Sequence, residues 1–480
     1  MNIQRWTLVV VCAATAMLML DIAVVNTALS RIADDLDTGL SGLQWVVDAY
    51  TLALASTVLT AGALADRLGR RRLFTIGLAI FTVASLACGL SQDIVMLNSA
   101  RAVQGIGAAI MFAVSLALLA HAFPGTRERA GALAAYGAAI GASFALGPLV
   151  GGVLTSGLDW QWIFLVNLPI GAFCLWITRT YVEESRDPHP RGIDWPGQIT
   201  LTAGLGLLVL ALLRGNEDGW TSTLIVAELA GAAVALIAFV IVELRVREPM
   251  LPMRLPMRLF RDATFTGAQV AAFAISASFF ALFLYTTLYL QQILGLSAIE
   301  AGLVYLPGTL VMLVVSAATA QLGAKIPART MVGGGLALVA AGMALMTLAG
   351  TDSSWPVMLP GILVACIGTG FFNPALSNVA LGSVPVEQSG LAAGVNDTAR
   401  QAGIAVGVAA LGALIPAEAA LGQGSPADYV AGMHDALWVG AALAVAGAVA
   451  AAALISKRFG TAAELPSEDS IPAGALPQPA

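Results

Sequence analysis

Fourteen apolar runs, each close to the length of a bilayer crossing, occupy most of this 480-residue chain. They fall at 7–29, 44–64, 73–91, 95–120, 131–155, 162–181, 195–213, 221–243, 264–290, 300–322, 330–349, 355–379, 391–415 and 435–456. A helix needs about 20 apolar residues to cross the hydrocarbon core. Lipid offers no partner to a backbone N–H or C=O, so a spanning segment must satisfy its own. The runs therefore predict an all-α integral membrane protein. Composition agrees, because 58% of residues are hydrophobic and only 11% charged, too few to cover a water-soluble body of this size. The first run continues past the length of a signal-peptide core and is expected to remain as an uncleaved span.

Basic residues orient these spans. Nineteen of the 23 Lys and Arg fall on the side that holds the N-terminus, among them Arg67, Arg70, Arg71, Arg72, Arg254, Arg258 and Arg261. Only Arg31 and Arg214 lie in loops on the other side. Positive loops stay in the cytoplasm, so both termini are expected there, in a multi-pass protein of a bacterial plasma membrane. The spans group as six, two and six. Residues 1–191 form a first six-helix bundle, 192–243 two inserted transmembrane helices, 244–263 a basic cytoplasmic linker bearing Pro249, Pro252 and Pro256, and 264–458 a second six-helix bundle. Residues 459–480, rich in Pro and Ala, are expected to be a disordered cytoplasmic tail. Cys12, Cys88, Cys174 and Cys366 lie inside apolar runs and read as small hydrophobes. His121, His189 and His434 fall at span ends or in loops, with no paired metal-ligand motif and no nucleotide-binding loop. No metal, cofactor, nucleic-acid partner or enzymatic activity is expected.

Charges inside the spans cost about 2.5–3.5 kcal/mol each on insertion scales and mark working positions. Asp21, Asp48 and Arg101 are such charges. Counted at about 1.5 Å per residue, all three reach similar heights in the outer half of the first bundle. One reading has Arg101 holding one carboxylate ionised while the other takes up a proton. A fixed helix-to-helix salt bridge for Arg101 and a solvated end position for Asp48 stand as alternatives. Asp397 and Arg400, three apart, share a helix face and form either a simple pair or a second-half gate. Asn26, Tyr50, Gln104, Tyr285, Tyr289 and Asn373 are candidates for the lining of a cavity, with core packing or lipid contact as the alternative.

Four groups of motifs remain. The loop after the second span reads Gly62-Ala-Leu-Ala-Asp66-Arg67-Leu-Gly69-Arg70-Arg71-Arg72. Glycine suits its tight turn, and its acid can cap a neighbouring helix N-terminus. The fourth span opens Arg101-Ala-Val-Gln104-Gly105-Ile-Gly107, and the fifth holds Gly147-Pro148-Leu-Val-Gly151-Gly152 with Gly141 leading in. Trp160-Gln-Trp162-Ile-Phe-Leu-Val-Asn167-Leu-Pro169-Ile-Gly171 enters the sixth span, and Leu20-Asp21 through Asn26 and Gln44-Trp45-Val-Val-Asp48-Ala-Tyr50 mark the first two. Together these resemble the major facilitator superfamily and, within it, the fourteen-helix drug:proton antiporter branch, over nearly all of residues 7–458. The second half departs by carrying only a degraded loop motif around Gln321 to Arg329.

The resemblance implies two six-helix bundles around a central cavity, with two inserted helices, rocking to expose that cavity to each face in turn. It implies that the Gly62–Arg71 loop stabilises one gating state. The Gly147–Gly152 motif implies proton-coupled efflux of amphipathic drugs, antibiotics or secondary metabolites, cationic compounds among them, by a monomer driven by the proton gradient. Uptake of a small organic nutrient by proton symport remains the alternative, with a membrane-embedded enzyme the weakest reading.

Overall fold

The computed structural model describes residues 3–123, 125–186, 194–245, 262–322, 326–384, 389–421 and 424–456. The core of the expected linker (246–261), the expected tail and part of the degraded second-half loop (323–325) lie outside the described residues. Every long element is helical. The first six are α1 (Ile3–Asp35), α2 (Leu40–Leu68), α3 (Arg70–Gly89), α4 (Ile94–Ala122), α5 (Thr126–Gly157) and α6 (Trp162–Tyr181). Then come α7 (Trp195–Asp218) and α8 (Thr223–Arg245). The last six are α9 (Ala263–Ile293), α10 (Ala298–Leu322), α11 (Ala328–Met346), α12 (Leu359–Gly382), α13 (Ser389–Gly412) and α14 (Pro426–Leu454).

Among the described residues, 12 helices are long and apolar enough to cross a membrane, or 13 with α5 counted as one bent span. The element left out is α13, whose middle turns carry Asn396, Asp397, Arg400 and Gln401. Those residues dilute its hydropathy, and its neighbours rather than lipid surround it. Several helices overrun the apolar runs that announced them. α1 has 33 residues, about 50 Å of helix, so its ends extend beyond a hydrocarbon core of about 30 Å.

α5 bends by 42° where Gly131–Ser143 meets Ala145–Gly157. The cause is Pro148, four residues on, which has no N–H for the carbonyl of residue 144 and crowds that carbonyl with its ring. α9 is interrupted by two π-helical turns, Ser276–Phe280 and Tyr289–Ile293, which rotate the aromatic residues between them relative to a regular helix.

Packing repeats itself. In the first half α2 packs on α4, α1 on α5, and α3 on α4 and α6; in the second half α10 packs on α12, α9 on α13, and α11 on α12 and α14. Each pair in one half has its counterpart in the other. Two seams join the halves and are themselves counterparts, α2 against α13 and α5 against α10. Hydrophobicity does not drive association inside lipid, so close backbone approach has to. Accordingly, a Cβ on Gly105 would stand 2.4 Å from the Tyr50 carbonyl oxygen, and one on Gly368 2.4 Å from that of Gly335. The α7–α8 hairpin lies outside the α2–α13 seam. Leu201 and Leu205 of α7 pack with Ala55 of α2 and Ala402 of α13, and Val209 and Leu213 with Ala405 and Ala409. α8 turns Val234 and Ile237 outward, 66% and 60% exposed, as a lipid-facing helix does.

Candidate functional site

α1 and α4 bring Asp21 and Arg101 together at 2.6 Å, Nη1 to Oδ2, with 1% and 2% exposure. Arg101 Nη1 also donates to Gln104 Oε1 at 2.7 Å, and Nε donates to the Val46 carbonyl at 2.9 Å. The second carboxylate oxygen of Asp21 accepts from Gln104 Nε2 at 2.9 Å and Asn167 Nδ2 at 3.0 Å. Gln104 Nε2 reaches Ser85 Oγ as well, at 2.8 Å. The Tyr50 ring lies 4.2 Å and the Phe164 ring 5.7 Å from the guanidinium carbon. Five helices, α1, α2, α3, α4 and α6, therefore contribute to one ion pair, and both carboxylate oxygens are satisfied. Breaking such a pair by removing one member costs about 3–5 kcal/mol. Gln104 and Tyr50 stand in this network rather than on a cavity wall. Asn167 stood in the sixth-span motif without an assigned role, and Ser85 was not singled out from sequence. Asn167 had a signal, as an amide inside an apolar span, whereas Ser85 had none.

Asp48 does not join this pair. It is fully buried, and neither carboxylate oxygen has a hydrogen-bond partner. Helical spacing puts it on the α2 stripe Gln44, Asp48, Thr51, Ala55, Leu59, and that stripe faces the second half. Gln44 Nε2 donates to Tyr285 Oη at 2.7 Å, and Thr398 Oγ1 donates to the Ala55 carbonyl at 3.4 Å. Tyr285 Oη donates in turn to the Val408 carbonyl, and Tyr429 Oη donates to the Tyr285 carbonyl at 2.6 Å.

Further links close the face opposite the N-terminus. Ser30 Oγ donates to Gln291 Oε1, and Gln291 Nε2 donates to the Thr27 carbonyl at 2.9 Å, tying α1 to α9. The Ile299 amide donates to Ser156 Oγ at 3.1 Å, tying α10 to α5. The α5 glycines permit this closure. Gly147 and Gly151 face α1, where a Cβ would meet Ala23 Cβ and Thr27 Oγ1, each at 2.3 Å. Gly152 faces α10, where a Cβ would lie 2.6 Å from the Ala298 carbonyl oxygen. From the other side of the seam, a Cβ on Gly302 would lie 2.4 Å from the Pro148 oxygen. Gly141 is looser, with Leu313 Cδ1 at 3.5 Å.

Between the halves runs an apolar cavity whose walls include Ile22, Asn26, Val47, Thr51, Phe280, Phe283, Tyr305 and Met312. Of the expected lining residues, Asn26 stands there. Tyr285 and Tyr289 are fully buried in α9, the latter donating from Oη to the Gly350 carbonyl at 2.7 Å. Asn373 Oδ1 accepts from Arg400 Nη1 at 3.1 Å. Arg400 and Asp397 form no ion pair within 4 Å, although they stand three apart on one helix, and Asp397 Oδ2 has no hydrogen-bond partner.

The α2–α3 loop has a different arrangement from the one its sequence suggested. Gly69 takes φ 104, a backbone region open to glycine. Asp66 caps no neighbouring helix among the described residues; it pairs with Arg70 at 3.0 Å. The cap on α3 is Glu184, beyond the end of α6, whose oxygens accept from the Arg71 and Arg72 amides at 3.0 and 3.1 Å. Arg71 also leans toward Glu184, at 3.9 Å. Gly62 has open space around it, and Arg67 is exposed.

Residues 11–408 match the Major Facilitator Superfamily. The chain is similar to the multidrug resistance protein Stp of Mycobacterium tuberculosis, 36% identical over 86% of this chain and 76% of that one. It is 34% identical to the methylenomycin A resistance protein of Streptomyces coelicolor, over 86% of each chain. With the cephamycin export protein CmcT of Amycolatopsis lactamdurans it shares 36% identity, over 89% of this chain and 88% of that one. In fold it is similar to the human organic anion transporter MFSD10 (TETRAN), with a TM-score of 0.62 and 16% identity, covering 93% of this chain and 99% of that one.

Proposed function

This chain belongs to the major facilitator superfamily, and on that premise we propose that it exports amphipathic drugs, antibiotics or secondary metabolites in exchange for protons. The observation that carries the proposal is the buried Asp21–Arg101 pair, set beside a cavity whose mouth is sealed on one face. Relatives named for multidrug resistance, methylenomycin A resistance and cephamycin export support the same direction. The arginine-rich face is the cytoplasmic face of the plasma membrane, with both termini inside. The sealed mouth is then the outer one. Bundles 1–191 and 264–458 rock about the cavity as a monomer, joined by the 244–263 linker, and 192–243 rides outside the α2–α13 seam. No cofactor is needed, since the proton gradient supplies the energy.

In this reading the two acids divide the work. Asp21 is held in the sealed conformer by Arg101, Gln104 and Asn167, which satisfy both its oxygens. Asp48 is buried and neither of its oxygens has a hydrogen-bond partner, a setting that holds an uncharged carboxyl far more cheaply than a charged one. A proton taken up at the open outer mouth is therefore retained when α2 closes on α9 and α13. A cationic compound would compete with that proton for the carboxylate. Proton transfer to Asp21 would free Arg101 and loosen five helices at once, which couples protonation to rocking.

The test is exchange in liposomes holding the purified full-length chain. An imposed pH difference should drive dye movement by the wild type. Asp21→Asn should lose that dependence while still binding dye. Wild-type turnover that ignores the pH difference would refute proton exchange.

A further inference from the structure

We propose that the central cavity recognises a carboxylate and that Arg400 on α13 reads it, so that aromatic amphiphiles bearing one ionised carboxylate are preferred cargo. The inference rests on the exporter reading above. Two arginines lie within the spans away from their ends, and their circumstances differ. Arg101 is used up, held by Asp21, Gln104 and the Val46 carbonyl at 2% exposure. Arg400 is half-buried and makes one hydrogen bond, to Asn373 Oδ1 at 3.1 Å. A guanidinium carries five N–H donors in a planar fork, so most of its donors remain available.

The fork stands just behind the cavity wall, beside one of its aromatic residues. Its central carbon lies 5.7 Å from the centre of the Phe280 ring. Phe280 lines the cavity, and so does Ile404, one turn beyond Arg400 on α13. Tyr305 and Cys366 are the titratable groups on the same walls, and neither supplies a negative charge at neutral pH. Asp397 is the nearby carboxyl on α13, yet no ion pair forms and the guanidinium turns to α12 instead. A cation at a low-dielectric wall without a paired anion is costly, and a ligand carboxylate relieves it. Arginine suits the role, since its fork matches a carboxylate with two parallel hydrogen bonds and also stacks on aromatic faces. Phe283 and Tyr305, with ring centres 4.5 Å apart, offer such faces to the body of the ligand.

Three pyrene probes with one shared body separate the possibilities: pyrenebutyrate, its methyl ester and the corresponding alkylammonium. Binding to the full-length protein in detergent is read by tryptophan fluorescence quenching. Butyrate should bind more tightly than the ester, on the order of 10- to 100-fold, as expected for a charge-assisted pair. Arg400→Gln should abolish that preference and leave the ester unchanged, and Arg400→Lys should keep only part of it. Asp397→Asn, which removes the competing charge, should leave butyrate at least as tight. Equal wild-type affinity for butyrate and ester, or a preference that survives Arg400→Gln, overturns the proposal. Butyrate selectivity in a chain that moves none of the probes under a pH difference would instead sink the exporter reading and leave the carboxylate site standing.

Discussion

Gly152→Ala should break the outer seal without disturbing the first bundle. The new Cβ would stand 2.6 Å from the Ala298 carbonyl oxygen and 2.7 Å from Ile299 Cα. Both are backbone atoms of α10, so no side chain can swing aside. The clash exists only while α5 and α10 are closed, because the three nearest atoms to that position all belong to α10. Overpacking of this kind costs about 1–3 kcal/mol. Charged to the sealed conformer alone, it lowers the ratio of sealed to open molecules by roughly 5- to 150-fold. The assay is alkylation of Asn26→Cys, a cavity position on α1, by an impermeant maleimide added from the outer side, in a chain with Cys12, Cys88, Cys174 and Cys366 replaced. Labelling should accelerate within that range. Gly141→Ala is the control, since its Cβ would make an ordinary 3.5 Å contact with Leu313, and labelling should stay as it was. Equal labelling in Gly152→Ala and the parent, or equal acceleration in Gly141→Ala, would refute the argument that this seam is the seal.

Two other substitutions probe neighbouring parts. Tyr285→Phe removes the acceptor for Gln44 Nε2 and the donor to the Val408 carbonyl; a buried donor left unsatisfied costs about 1–3 kcal/mol, so the same Asn26→Cys reporter should label faster, and unchanged labelling would exclude Tyr285 from the seal. Gly69→Ala forces a side chain to φ 104, with its Cβ 2.7 Å from the Glu184 carboxylate that caps α3. Its thermal stability in detergent should fall clearly below that of Gly62→Ala, whose Cβ meets nothing within 4 Å.

The spans were legible because lipid leaves hydropathy little freedom, and the loop, arginine and glycine motifs were legible by spacing. Depth counting also brought Asp21 and Arg101 to one height, and the structure places them in contact. The same counting brought Asp48 there, and the structure does not. Depth fixes height along a helix and says nothing of direction around it. At 3.6 residues per turn, positions 48 and 50 point about 200° apart. Tyr50 lies under Arg101, so Asp48 must face away, toward α9 and α13. Other features depend on chain returns that local sequence does not encode. Glu184 reaches α3 because the segment after α6 folds back, with the Arg70 amide bonded to the Ser185 carbonyl at 2.9 Å. The turn of Arg400 toward Asn373 likewise depends on how α12 and α13 pack.

The position of the ion pair constrains how coupling can work. Ile22, Ala23 and Asn26 line the cavity, while Asp21, next in sequence to Ile22, is 1% exposed and bonded to α4 and α6. A compound in the cavity therefore touches α1 without touching Asp21. One route for its influence on the pair is the packing of α1 against α5, where Gly147 and Gly151 leave no slack for a methyl group. A rigid seam of that kind transmits a displacement and does not absorb it. Under the proposed mechanism, the Asp21–Arg101 pair is thereby kept out of direct contact with the cargo. The groups proposed to select cargo lie across the cavity, Phe280, Phe283 and Tyr305 on its wall and Arg400 beside Phe280. Such a division lets the second half vary in what it accepts while the first half keeps one fixed ion pair, as an exporter of chemically varied compounds requires.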